Sequence, residues 1–195
     1  MLDYFGSGEK THPFQLPGKH WLSLHEPQVT RAFANFLNQG DCQLVLAFLR
    51  ALVPEKNWPT NLKNVAVRAE EPTKMGRIDI LLKATAEGKP VGVVIEAKFG
   101  HHAKGNPFAD YRTFALNKFF DNDEEHVEFI ILGNAPCKSV QKVIAGRRSP
   151  WKFVTWADFL RRFDKEIFRL RQSQSYARPY DYNFTQLRRS IWEMI

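Results

Sequence analysis

Cysteine is scarce in this chain of 195 residues: Cys42 and Cys137 are its two thiols. They share no metal-ligand spacing, and one pair makes no disulfide framework, so the fold has to rest on its own core. Long apolar runs are missing as well. No stretch approaches the roughly 18 to 20 residues that a membrane span needs. The start, Met1-Leu2-Asp3-Tyr4-Phe5, lacks the basic lead and the apolar run of a secretory signal. Repeats and low-complexity tracts are absent too. Together these absences argue for a soluble, cytoplasmic protein with no membrane partner.

What is present suits one domain spanning residues 1–195, since 44% of the residues are hydrophobic, enough for a single sizeable core. The formal net charge is +7, and its distribution says more than its size. Residues 138–195 hold 13 Lys and Arg against 5 Asp and Glu, whereas residues 1–137 hold 15 against 16. The whole excess therefore sits in a basic C-terminal part. Such asymmetry fits a polyanion partner, nucleic acid first of all, and equally a well-solvated basic face.

Residues 1–20, with Gly6, Gly8, Pro13, Pro17 and Gly18, read as a loop-rich lead-in. From Glu26 the pattern turns helical. Pro27 suits a first turn, and Val29, Phe33, Phe36 and Leu37 recur at helical spacing. Gly40 and Asp41 interrupt, and Leu44 to Leu52 predicts a second, buried helix stopped by Pro54. Three strands follow, over 62–70, 77–83 and 91–98, the last two joined by a turn at Glu87-Gly88-Lys89-Pro90. Phe108 to Phe120 predicts a helix with Phe108, Tyr111, Ala115 and Phe119 on one side. Val127 to Leu132 and Phe153 to Thr155 predict further strands. Trp156 to Arg171 is the clearest amphipathic helix. Trp156, Phe159, Leu160, Phe163, Ile167 and Leu170 line one face, and Arg161, Arg162, Lys165 and Arg169 the other. Residues 184–195 add a last short helix. The order predicts an α/β fold in which helices flank a mixed sheet.

The chemistry concentrates in Arg77-Ile78-Asp79-Ile80 and Ile95-Glu96-Ala97-Lys98. Residues two apart on a strand share a face, so Glu96 and Lys98 point the same way. With the turn centred between Glu87 and Gly88, Asp79 lies across from Glu96, their Cβ atoms ~5 Å apart. Two carboxylates so close in an apolar hairpin repel, and a hard divalent cation resolves the conflict. Mg²⁺ or Mn²⁺ takes one or two carboxylates plus water and phosphate oxygens. Lys98 can then orient or deprotonate a water, or neutralise charge developing on a phosphorane. Those are the parts of phosphodiester hydrolysis. The competing reading is an ordinary cross-strand pair of acids neutralised by Lys98.

Residues Glu26 to about Leu132, with the core Gly76-Arg77-Ile78-Asp79-Ile80 … Ile95-Glu96-Ala97-Lys98, resemble the PD-(D/E)XK nuclease superfamily, especially its small bacterial and phage members. The resemblance implies a restriction-endonuclease-like core and a metal-dependent nuclease acting on DNA, in a restriction, phage-defence or mobile-element setting. It implies Asp79, Glu96, the carbonyl of Ala97 and Glu26 as metal ligands, and Lys98 as a catalytic group. Ile78 stands where the family name has Pro. Many relatives carry a Gln and a Tyr in the helix after E-x-K; Tyr111 fills the second role, and no Gln fills the first.

Several residues keep two readings. Glu26 also suits a helix N-terminus or a capping box with Ser23. Glu70 either faces the site or is a solvated strand end. His101, His102 and Lys104 follow the E-x-K strand and can meet phosphate or simply face water. Trp151, Trp156 and Trp192 can stack on bases or build core. Arg161, Arg162, Lys165 and Arg169 are candidate phosphate contacts, offset by Asp158, Asp164 and Glu166. Besides an enzyme, the chain fits a non-catalytic nucleic-acid-binding module or a regulatory subunit, with a homo-oligomer or a partner protein supplying targeting.

Overall fold

The computed structural model describes residues 26–99, 107–173 and 179–194. Two helices come first, α1 (Glu26–Gln39) and α2 (Cys42–Leu52). The strands β1 (Lys63–Pro72), β2 (Arg77–Ala86) and β3 (Lys89–Ala97) form an antiparallel meander. Helix α3 (Phe108–Phe119) carries the chain to β4 (Val127–Gly133), and α4 (Lys138–Ile144) to β5 (Trp151–Thr155). Both of these strands run parallel to their neighbours, which completes a five-stranded mixed sheet in the order β1-β2-β3-β4-β5. Helices α5 (Trp156–Gln172) and α6 (Pro179–Met194) close the chain.

Local chemistry explains most boundaries. Asp41 caps α2 by accepting the Leu44 N–H at 2.9 Å. Thr155, the last residue of β5, caps α5 by accepting the Asp158 N–H at 2.9 Å. The β2–β3 hairpin turns through Glu87 and Gly88, both at positive φ (52° and 80°), as a two-residue hairpin requires. Strand β1 is an edge strand, and α1 blunts it. Asn38 donates to the Val67 carbonyl at 2.7 Å and accepts the Val67 N–H at 2.9 Å. Gly92 is where two strands and a helix end meet most closely, since a Cβ there would lie 2.0 Å from the Leu82 carbonyl oxygen.

The sheet has an apolar layer on each face. Val91, Val93, Ile95 and Ala97 of β3 pack with α1, α2, α5 and α6, while Val94, with Phe129 and Ile131 of β4, packs with α3 and α4. The predicted apolar face of α5 is buried through Trp156, Phe159, Leu160, Phe163 and Ile167. Helix α4 was not legible in the sequence: its one buried residue is Val140, and seven residues give no stripe. The lead-in of residues 1–20 lies outside the described residues. Among the described residues, no helix is long and apolar enough to cross a membrane.

Candidate active site

The register expected from the turn holds along the hairpin, from Ala86↔Lys89 to Ile80↔Ile95. The next step would pair Asp79 with Glu96, and there the backbone ladder stops. The Asp79 carboxylate takes its place, with Oδ2 accepting the Ala97 N–H at 2.7 Å. Asp79 is thus anchored to the strand that carries E-x-K by a charge-assisted bond to its backbone. The β1–β2 ladder also passes over this level, running from Ala69↔Ile80 to Glu71↔Ile78.

Both strands change phase here. Ile80 packs with the α1 layer and Ile78 with the α3 layer. Across from them, Ala69 packs on the α1 layer, while Glu71 meets Lys118 of α3 at 2.8 Å. Glu70 lies between them at φ 56°, a left-handed conformation uncommon for a residue other than Gly. A regular strand would send side chains up and down in strict alternation. The break at Glu70 and Asp79 turns these two acids out of that order.

Glu96 is 3% exposed, with Lys98 Nζ donating to its Oε1 at 2.6 Å. The two side chains share a face, as E-x-K spacing requires. Lys98 is fixed at its backbone too: its N–H donates to the Leu132 carbonyl at 2.7 Å, and its carbonyl accepts from Trp156 Nε1 at 3.1 Å. Trp156 also stacks on Phe99, ring centroids 4.6 Å apart. The first residue of α5 thereby holds the end of the catalytic-type strand, a packing role in place of base stacking. Trp151 is likewise core, while Trp192 is 46% exposed.

Tyr111 of α3 is buried, and its hydroxyl accepts the Arg77 N–H at 3.2 Å. Burial pushes its hydroxyl pKa up, and the charges of Glu96 and Asp79 push in the same direction. Val94 packs in the α3 layer, so Glu96, two residues on along the same strand, falls on that side of the sheet. The Gly of the G-R-I-D segment serves this contact: a Cβ on Gly76 would lie 2.5 Å from the Tyr111 hydroxyl oxygen. That role was not visible in the sequence, because nothing local links Gly76 to a helix 35 residues on.

Glu70 overturns its solvated reading. Its side chain is 6% exposed, with Thr30 Oγ1 donating to Oε1 at 2.7 Å and Arg77 Nη1 3.0 Å from Oε2. It ties the first turns of α1 to the residue two before Asp79. The hydrophilic letter at a strand end gave no sign that α1 covers it.

Glu26 opens α1, but its side chain lies outside the described residues, as do His101, His102 and Lys104. Among the described residues, no group of three or more His, Cys, Asp or Glu converges as a metal cage would. Asp79 and Glu96 with a backbone carbonyl are nonetheless a donor set of hard oxygens. Two carboxylates suit an ion that keeps several waters. On α5, Arg161 meets Asp158 at 2.6 Å, Arg162 donates to the Ala51 carbonyl at 3.3 Å, and Arg169 pairs with Glu166. Lys165 is exposed. Arg169 lines a hollow with Lys56 and Trp58, and Lys56 in turn meets Glu128 near the start of β4. Since Glu96 lies near the end of β3, which β4 parallels, Arg169 sits at the other end of the sheet from Asp79.

The chain matches no curated protein and no solved structure. A family model matches residues 34–181, from the middle of α1 to the start of α6, well over half the chain. Carrying Asp79 on the second strand of such a sheet, Glu96 on the third and Lys98 directly after it, the chain belongs to the PD-(D/E)XK nuclease superfamily.

Proposed function

We propose that this chain is a divalent-metal-dependent nuclease that hydrolyses phosphodiester bonds in DNA, with its centre at Asp79, Glu96 and Lys98. The observation that carries the reading is the Asp79 carboxylate bound to the backbone of the E-x-K strand, beside a buried Glu96–Lys98 pair. A buried acid, a second acid and an ammonium at the end of an apolar hairpin serve packing poorly. They serve a cation and a phosphate well.

Asp79, Glu96 and the Ala97 carbonyl would hold Mg²⁺ or Mn²⁺, and Glu26 joins them on the strength of the resemblance. Such an ion, when bound, polarises a phosphate oxygen and acidifies a water. The chain's own groups do the rest. Asp79 keeps its position through the Ala97 N–H. Lys98 stands ready to orient the attacking water, or to steady negative charge on the phosphorane, as its ammonium leaves Glu96 for the phosphate. Tyr111, held by the Arg77 N–H, presents a hydroxyl that stays protonated and can donate to a phosphate oxygen. His102 and Lys104 on the following loop, with Arg161, Arg162, Lys165 and Arg169 on α5, remain candidates for phosphate contacts. DNA as substrate and a restriction, phage-defence or mobile-element setting rest on the resemblance alone, as does targeting by a partner or a second copy.

The test is cleavage of labelled duplex and single-stranded DNA and of RNA by the purified chain with Mn²⁺, Mg²⁺ or EDTA. Metal-dependent cleavage of DNA above RNA supports the reading. Binding without cleavage in every metal would turn it to a binding module.

A further inference from the structure

We propose that the groove between the β1–β2 turn and α3 seats an unpaired nucleotide of the substrate strand. The groove is open, with a volume of about 530 Å³, within the range of small-ligand sites. Its lining includes Met75 and Phe114, with Thr73, Lys74, Asp110 and Lys118 around them. Met75, on the turn, is 64% exposed and presents its thioether to the groove that Phe114 also lines. Phe114 is half-buried, with Phe119 at its edge, centroids 6.0 Å apart, and the Lys118 ammonium 4.9 Å from its ring centre. Apolar side chains beside the ammonium groups of Lys74 and Lys118 are what a base with its phosphate asks for, with the exposed Asp110 the one carboxylate among the lining residues.

The charge around the groove has an inside and an outside. The side chains of Arg68, Arg77 and Lys118 are 53%, 54% and 49% exposed, while their partners Glu71 and Glu70 are 9% and 6% exposed. The carboxylates lie beneath and the cations face the solvent. Lys74 adds another exposed cation at the turn. A strand approaching from solvent therefore meets these positive heads, with the exposed carboxylate of Asp110 set against them. The groove also adjoins the segment that leads into the site. Met75 precedes Asp79 by four residues, at most ~13 Å along a strand. Gly76 between them packs on Tyr111. A strand whose phosphate lies at Asp79 and Glu96 would bring a neighbouring nucleotide to Met75. The source of that strand rests on the nuclease reading; the groove's chemistry does not.

The experiment is fluorescence anisotropy in EDTA, with the full chain, a labelled single-stranded 12-mer and a duplex of the same sequence. The proposal expects the single strand to bind more tightly than the duplex. Met75→Ala should weaken single-strand binding about fivefold, the lower end of what losing a base-stacking side chain costs, and leave duplex binding unchanged. Met75→Trp should tighten it. Because Met75 is exposed and lies outside both apolar layers of the sheet, neither change threatens the fold, and circular dichroism of both variants will match the wild type. A 2-aminopurine placed in the 12-mer should be quenched by the wild type and less so by Met75→Ala. Equal binding by the wild type, Met75→Ala and Met75→Trp overturns the proposal. If binding depends on Met75 but no metal supports cleavage, the groove stands and the nuclease reading falls. Cleavage with binding indifferent to Met75 gives the reverse.

Discussion

Lys98→Ala removes the cation that lies 2.6 Å from Glu96 Oε1. The Glu96 side chain is 4% exposed and that of Lys98 is 19%, so water can replace the lost partner only in part. Breaking a buried pair by deleting one member costs about 3–5 kcal/mol, and the partial exposure of Lys98 brings this to roughly 3 kcal/mol. For a chain of this size each kcal/mol moves the melting temperature by about 2–4 °C, so the variant should melt about 6–12 °C below the wild type in EDTA. A divalent ion changes the comparison. At a hundredfold excess over its dissociation constant it adds about 2.7 kcal/mol to any chain that binds it only when folded. In Lys98→Ala it also supplies the positive charge that Glu96 has lost, so Mn²⁺ should raise the variant's melting temperature by more than the wild type's. Cleavage should nonetheless be abolished, since the ammonium is proposed to act on water or phosphate. Differential scanning fluorimetry with a metal titration and a cleavage assay measure all three. A variant that melts with the wild type in EDTA and cleaves at the wild-type rate would refute the reasoning.

Asp79→Asn retains an acceptor for the Ala97 N–H and loses the charge, so its fold should survive while Mn²⁺ no longer raises its melting temperature. Tyr111→Phe frees the Arg77 N–H and should cost about 1 kcal/mol, read by urea denaturation. Gly76→Ala should cost more, because its Cβ would meet the Tyr111 hydroxyl oxygen at 2.5 Å. The Gly76→Ala, Tyr111→Phe pair should then cost less than the sum of its parts, a coupling that a double-mutant cycle measures. Burial pushes the Glu128 pKa up, but hydrogen bonds and charge from Lys152 and Lys56 outweigh it and hold the group below its ordinary 4.5. A carboxylate lowered on folding stabilises above its unfolded pKa and loses that contribution as pH falls through the folded one. Glu128→Gln should therefore destabilise at neutral pH, with the difference from wild type shrinking below pH 4.5, as melting curves against pH will show.

The two-residue period of β2 and β3 and the Glu87-Gly88 turn made the hairpin register readable, and with it the neighbourhood of Asp79, Glu96 and Lys98. Apolar spacing made α1, α2, α3 and α5 readable in the same way. The phase change at Glu70 and Asp79 was not, because it arises from α1 capturing Glu70 through Thr30 and from a carboxylate taking a ladder position, contacts 40 and 18 residues apart in sequence. Charge was the least legible feature. Counting placed the basic surface in residues 138–195, yet on α5 Arg161 and Arg169 are answered within one helical turn by Asp158 and Glu166. Near the site the opposite holds. Arg68, Arg77 and Lys118 present exposed cations there while Glu70 and Glu71 are buried beneath them, a segregation that no count of letters can report.

The central claim is that Asp79, Glu96 and Lys98 form one metal-dependent hydrolytic centre. Its most direct measurement is the rate of DNA cleavage in Mn²⁺ by the wild type, Asp79→Asn, Glu96→Gln and Lys98→Ala, all shown to be folded. The account predicts metal-dependent cleavage by the wild type and none by any of the three variants, with EDTA silencing the wild type. Wild-type cleavage that persists in EDTA, or in any one of the variants, would contradict it.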